Sequence, residues 1–319
     1  DAAAATAAAE RLVTTDGVVG IMGADCSGVT GAILANVAVP NGIPMISPSA
    51  TSPALSTAED NGLFFRTAPS DARQGEVLAQ SLMDKGVKEV AVTYTNNDYG
   101  KGFADSFIAA YEGMGGKVTA NVPHEDGKAD YSAEVGALAS AGGEVLVVLG
   151  YSDQGGKGII QASLDSGAFD TFAMGDGMYS DALLEALGAD LEGSMGTVPW
   201  SQGEGAEAFD KITAAAGVNG NSSFTRESYD AAALLLLAAQ KAGEATPAGI
   251  AANVMDVANA PGEKILPGEL DKALEILANG GDIDYVGATN VELIGPGEAA
   301  GTYREYTIHN GEYQTVQFR

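Results

Sequence analysis

Short apolar runs alternate with segments of helical period along most of the chain, and that alternation predicts the fold class. Ala2 to Thr14 reads as a helix closed by Asp16-Gly17. Val18 to Met22 is an apolar run bounded by glycine, the pattern of a buried parallel strand. Ser27 to Val39 then predicts a helix and Pro44 to Ser47 a strand. Further on, Val87 to Tyr94, Lys117 to Val122, Val145 to Leu149 and Thr171 to Met174 read as strands. They are interleaved with helices over Gly102 to Gly113, Ser132 to Ala141, Lys157 to Ser166 and Ser180 to Leu187. Strands and helices of this length in strict alternation imply βαβ units and parallel sheets. Such sheets present their binding loops at the carboxyl ends of the strands.

After about Pro199 the rhythm changes. Ala206 to Ala216, Arg226 to Ala242, Pro247 to Val257 and Gly268 to Ala278 all read as helices. Tyr303 to Phe318 reads as a hairpin turning at Asn310-Gly311, a favoured two-residue turn. The most apolar stretch, Ala231 to Ala239, falls well short of the ~20 residues a membrane span needs and reads as a buried helix. No internal repeat or low-complexity linker interrupts the pattern.

Length and charge narrow the function. A chain of 319 residues suggests two domains. A net charge of −27 argues against nucleic acid and anionic membrane surfaces, which are bound through clustered Lys and Arg. The acids are dispersed, as on a solvated surface. Direct membrane insertion is not expected. The first ten residues, Asp1 to Glu10, lack the charged start and apolar core of a signal peptide, so the chain opens inside a helix.

Candidate chemistry is sparse. The single cysteine, Cys26, cannot build a disulfide framework or a metal cluster. His124 and His309 have no partner at metal-ligand spacing and are expected in loops or at the surface. Neither a GxSxG elbow, a P-loop nor a GxGxxG fingerprint follows a strand; Gly23 to Gly28 lacks the third glycine. A Cys26 nucleophile would need a histidine base, and none is at hand. The expectation is a protein that is not an enzyme and holds no metal or cofactor. Small hydroxyl residues do gather at strand ends. Cys26-Ser27-Gly28 opens a helix and Pro48-Ser-Ala-Thr51 follows the next strand. Amides and hydroxyls there suit an anion such as a carboxylate. Ser27 would serve equally as a helix cap, and the two roles are compatible.

These segments carry a resemblance. Asp16-Gly-Val-Val-Gly-Ile-Met-Gly-Ala-Asp-Cys-Ser27 and Gly42-Ile-Pro-Met-Ile-Ser-Pro-Ser-Ala-Thr51 resemble the leucine/isoleucine/valine-binding proteins of bacterial ABC transporters. So do Phe65-Arg-Thr-Ala-Pro-Ser-Asp-Ala-Arg-Gln-Gly75, Asn97-Asp-Tyr-Gly-Lys-Gly102, Asp130-Tyr-Ser-Ala133, Gly150-Tyr151, Met174-Gly-Asp-Gly177 and Tyr229-Asp-Ala231. The likeness runs in order along essentially the whole chain.

It implies a type I periplasmic binding protein: two Rossmann-like α/β lobes with parallel sheets, joined by three hinge crossings. The crossings would fall near Ser70, Pro199 to Ser201, and Tyr303 to Thr307. Lobe I would comprise residues 1–70 and 201–304, and lobe II 71–200 and 305–319. By the resemblance, Ser27 and Thr51 hold the α-carboxylate of an amino acid, within a loop that includes Cys26, Ser49 and Ala50. The Ser49 carbonyl meets the ammonium. Tyr99 and Tyr151 close over the ligand from the second lobe. Asp176 faces the ammonium, in a loop shorter than the family's and at a position where a family member has Glu. Phe224 packs on the ligand side chain.

No Arg or Lys of those motifs stands at an expected side-chain pocket position apart from Arg226, two residues after Phe224, so a neutral, small or branched aliphatic amino acid is the expected ligand. Trp200, beside a crossing, would line the cleft or pack the hinge. The resemblance further implies a monomeric, exported, periplasmic protein, its signal peptide removed, that delivers its ligand to a membrane permease. The family begins with a strand and helix ahead of the position of Asp1, carrying a pocket aromatic and a cysteine that would pair with Cys26. The alternative reading is a sensing domain of the same fold for an amide, urea or aromatic acid.

Overall fold

The computed structural model describes residues 1–319. The chain forms two compact units, Asp1–Ser70 with Ser201–Gly301, and Asp71–Trp200 with Thr302–Arg319. The chain therefore passes between them after Ser70, Trp200 and Gly301; the last passage lies just ahead of the Tyr303 to Thr307 segment expected from the resemblance.

The first unit is built on a five-stranded sheet ordered Ile21–Met22, Met45–Ser47, Phe64–Pro69, Glu298–Ala299, Leu293–Ile294. The first four strands run parallel and the last is antiparallel. Successive residues of a strand face opposite sides of the sheet, and the packing follows that rule. Met45 and Phe64 join Ile33, Leu34 and Val37 on one side. Ile46 and Phe65 join Leu234, Leu237 and Val254 on the other. The helix Thr225–Ala242, which contains the Ala231 to Ala239 run, supplies most of that second layer and ends on Gly243 in the left-handed conformation. A separate parallel pair, Glu263–Ile265 and Ile283–Tyr285, lies within the same unit.

Two expectations are corrected here. The buried strand read over Val18 to Met22 shrinks to Ile21–Met22, at the edge of the sheet, with Met22 exposed. The helix read over Ser27 to Val39 begins at Ser27 but gives way at Leu34–Ala38 to a π-helical turn before Val39–Asn41.

The second unit carries a seven-stranded sheet ordered Glu312–Phe318, Tyr303–His309, Met195–Pro199, Phe172–Met174, Val145–Leu149, Glu89–Thr95, Lys117–His124. The last five are parallel, and the terminal hairpin joins antiparallel. The hairpin turns at Asn310 and Gly311, both with positive φ, as the Asn-Gly pair predicts. Val145–Leu149 shows why the sheet is buried on both faces. Val145, Val147 and Leu149 pack with Phe103, Phe107 and Tyr111. Leu146 and Val148 pack with Ile159, Ile160 and Leu183. Helices therefore cover both faces, a doubly wound α/β layer, and each fully buried aliphatic side chain contributes roughly 1.5–3 kcal/mol. No helix of the chain is long and apolar enough to cross a membrane.

Candidate functional site

In the first unit the residues singled out by sequence lie at the carboxyl ends of Ile21–Met22 and Met45–Ser47. Cys26 takes the N-cap position of the helix Ser27–Ile33 with an extended backbone (φ −77°, ψ 142°), and it is exposed. Ser27 is buried, and its hydroxyl accepts from the Ser52 amide at 3.1 Å. Its role is thus to tie the helix start to the neighbouring loop rather than to cap its own helix. The Ser47 hydroxyl donates to the Ala24 carbonyl at 2.6 Å and accepts from the Ala50 amide at 3.0 Å. Ser49 is half-buried and donates to Asp25 Oδ1 at 2.7 Å.

Two side chains hold the loop by its amides, and one holds it by its carbonyls. Arg66, from the central strand, donates from Nη1 to the carbonyls of Ala50 (3.0 Å) and Ser52 (2.9 Å). Thr51 sits between these clamps. It is 1% exposed, and its hydroxyl is buried with no hydrogen-bond partner. A buried hydroxyl without a partner costs ~1–3 kcal/mol.

In the second unit the structure brings Tyr99, Tyr151 and Asp176 together. Asn97 caps the helix Asp98–Gly113 through the Gly100 amide, which fixes Tyr99 in its first turn. The Tyr99 ring stacks on Tyr151 with centroids 5.1 Å apart. Its hydroxyl donates to Asp176 Oδ1 at 3.0 Å and accepts from the Gly177 amide at 3.1 Å. Tyr99 is almost completely buried, so its hydroxyl serves Asp176 first. Burial pushes the Asp176 carboxyl up to about 6, against the pull of the hydrogen bond from Tyr99. Gly177 has no room for a side chain: a Cβ there would lie 2.6 Å from the Gly150 carbonyl and 2.9 Å from the Tyr99 hydroxyl. The Gly-Asp-Gly run is therefore a close approach that seats Asp176 against Tyr99, beyond any turn preference.

Other singled-out residues have definite places. Phe224 is half-buried and precedes the helix Thr225–Ala242 with φ +60°, ψ 12°, a left-handed conformation rare for an aromatic residue. Arg226 is buried, with Nη2 on Asp210 Oδ1 at 2.7 Å, a tie within the first unit. Trp200 packs in the second unit beneath the Arg304 guanidinium, 5.0 Å from its ring, and edge-on to Tyr179. His309 is exposed and pairs with Glu192. His124 corrects an expectation. It ends the strand Lys117–His124, is 1% exposed, and its Nδ1 lies 2.8 Å from the Thr93 hydroxyl. Burial holds its pKa below the usual histidine value. A strand two residues longer than predicted carried it inside. No group of three or more His, Cys, Asp or Glu could hold a metal ion.

Sequence reasoning missed Arg66, Glu298, Gln74 and Glu227. The signal for Arg66 was present. A single arginine in Phe64-Phe-Arg-Thr-Ala-Pro69, all six residues buried, is a charge that must be fully paired.

Two α/β units, each presenting polar groups at the carboxyl ends of parallel strands, define a two-lobed solute-binding protein. The comparisons agree: residues 1–265 match the periplasmic binding protein family, and the chain belongs to it. Among its relatives is the chemotactic signal transduction system substrate-binding protein BasB of Halobacterium salinarum, 28% identical over 90% of this chain and 69% of the relative. The Leu/Ile/Val-binding protein homolog 1 of Brucella melitensis is 34% identical over 74% of this chain and 63% of the relative. The chain thus spans about two-thirds of the length of the curated relatives it matches. Among solved structures, the leucine-binding protein LivK of Thermotoga maritima shares the fold with a TM-score of 0.82 at 22% identity, covering 100% of this chain and 84% of that one. A solute-binding protein of Rhodopseudomonas palustris in complex with p-hydroxybenzoic acid shares it with a TM-score of 0.79 at 15% identity, covering 100% and 83%.

Proposed function

We propose that this chain is the extracytoplasmic solute-binding component of an ABC importer and captures a small neutral or branched-chain amino acid. Thr51, with a hydroxyl buried and unpartnered beside loop groups held by Ser27, Ser47 and Arg66, is the observation that carries the reading. In the proposal Thr51 and Ser27 take the α-carboxylate and the Ser49 carbonyl helps hold the ammonium. Asp176, seated by Tyr99, supplies the counter-charge, Tyr151 and Phe224 cover the side chain, and the lobes close on the ligand. A zwitterion leaving water needs both charges paired, and these two clusters offer one partner for each. The relatives named for leucine, isoleucine and valine support the choice of ligand. Delivery to a membrane permease follows from the transport role.

Calorimetry of the purified protein against a panel of amino acids tests this. Binding of leucine, isoleucine, valine or alanine at micromolar affinity supports the reading, and a protein that binds none of the panel refutes it. A second reading is favoured by the match to a chemotactic substrate-binding protein and by the aromatic-acid complex of a structural neighbour: a sensory binding protein, or an aromatic-acid binder. An aromatic acid has no ammonium. Asp176→Asn would abolish amino-acid binding but leave benzoate-type binding intact, which separates the two ligand classes.

A further inference from the structure

The Arg66 guanidinium has five N–H donors in a fixed plane, and all five are engaged. Nη1 donates to the Ala50 and Ser52 carbonyls at 3.0 and 2.9 Å. Nη2 donates to the Ser56 hydroxyl at 2.7 Å and to Glu298 Oε2, and Nε donates to the same oxygen at 3.1 Å. Ser56 in turn donates to Glu298 Oε2 at 2.6 Å. Arg66 is 1% exposed, and Glu298 is its register partner on the adjacent parallel strand. The charge is thus neutralised from behind while two donors reach forward into the loop that carries Thr51.

That geometry dictates which way Thr51 faces. The Ala50–Thr51 peptide is trans, so its C=O and N–H point to opposite sides. With the Ala50 carbonyl drawn to Arg66, the Thr51 amide is turned away from the arginine. The Ser52 carbonyl is held to the same nitrogen, and the Ser52 amide is fixed on Ser27. Both peptides flanking Thr51 are locked, and its own amide and hydroxyl are left for a ligand.

We propose that Arg66, neutralised by Glu298, is the positioning residue that gives the site its selectivity for a carboxylate. This deepens the amino-acid reading above and rests on it. Arg66 touches no ligand; it acts by holding the Thr51 amide and hydroxyl at one angle, which favours an anionic acceptor pair over a carboxamide that also brings N–H groups.

The test compares L-leucine with L-leucinamide, in which the carboxylate is replaced by an amide, by calorimetry on the full chain. Wild type should prefer leucine. Arg66→Lys keeps the charge but has three donors instead of five and no planar fork. It should lose ~10-fold or more in leucine affinity, as expected for loss of charge-assisted hydrogen bonds, with leucinamide changed much less. Glu298→Gln, which keeps an acceptor at the same place, should erode the preference in the same direction and serves if Arg66→Lys does not fold. Val254→Ala, a cavity in the same unit's core, should lower stability and leave the leucine-to-leucinamide ratio alone. Variants at Arg66 and Glu298 that keep the wild-type ratio, or lose both ligands in step as Val254→Ala would, overturn the inference alone. A wild type with no preference for leucine over leucinamide overturns the amino-acid reading, and the inference with it.

Discussion

Asp176 is the residue whose chemistry is most exposed to test. Its carboxyl is raised to about 6 by burial, and in the proposed site pairing with a ligand ammonium would stabilise the ionised form and lower that value. Below about pH 6 the ligand-free protein must therefore give up a proton to bind. Leucine affinity should be flat above pH 7 and fall ~10-fold per pH unit below pH 6. Calorimetry from pH 5 to 8 reads this directly, and a flat profile would remove Asp176 from the ammonium site. Phe224 poses a different question, because a left-handed backbone at an aromatic residue is a local strain of about 1 kcal/mol or more. Alanine and glycine both remove the ring, but glycine tolerates positive φ. Phe224→Gly should therefore be more stable than Phe224→Ala by ~1 kcal/mol in chemical denaturation, the reverse of their ranking in a helix interior.

At the scale of the element, the helix Thr225–Ala242 carries an unusual first turn. Glu227 is 6% exposed; its backbone carbonyl accepts from Thr67, while burial, with repulsion from Asp230, pushes its carboxyl up to about 7. The folded value lies above the unfolded one, so folding takes up a proton between about pH 4.5 and 7. Stability from this group is full below about pH 4.5 and is lost as pH rises through 7. Glu227→Gln should leave stability near pH 4 unchanged and add about 3 kcal/mol at pH 8, seen by denaturant titration at both values. A variant no more stable at pH 8 would mean that the carboxylate is better solvated than its burial indicates. The same helix shows what sequence could reveal. Its length and apolar face announce it, as do the alternations of the second unit. The first unit's sheet was mostly hidden. Glu298–Ala299 and Leu293–Ile294 are two residues long and have no period to read; the first pairs with Phe64–Pro69 from the far end of the chain and the second pairs only with the first. Phe64–Pro69 itself was masked by the arginine inside it. The candidate site divides the same way. Hydroxyls at strand ends could be read from their positions, whereas the Arg66–Glu298 clamp depends on a pairing across 232 residues.

For the molecule as a whole, charge is the dominant unpaired quantity. There are 43 acidic side chains against 16 basic ones. Exposed ion pairs such as Lys101–Asp105 and Lys117–Glu89 contribute little each, and their loss in salt is correspondingly small. The excess acids repel one another across the surface at all pH values above their titration. Many also stand where the helix dipole opposes them: Glu112, Glu185 and Glu275 are exposed in the last turns of helices that carry no basic residue there. Salt screens both effects. The melting temperature should therefore rise with sodium chloride, by roughly 3–6 °C between about 0.05 and 1 M, because the repulsion removed exceeds the ion pairing lost. Chloride is the right anion for the test, since sulfate would also strengthen apolar burial. Replacing Glu112, Glu185 and Glu275 with lysine should raise stability at low salt by ~0.5 kcal/mol each and flatten the salt dependence. A melting temperature that falls with added chloride would show that ion pairing, despite its exposure, outweighs the acidic excess.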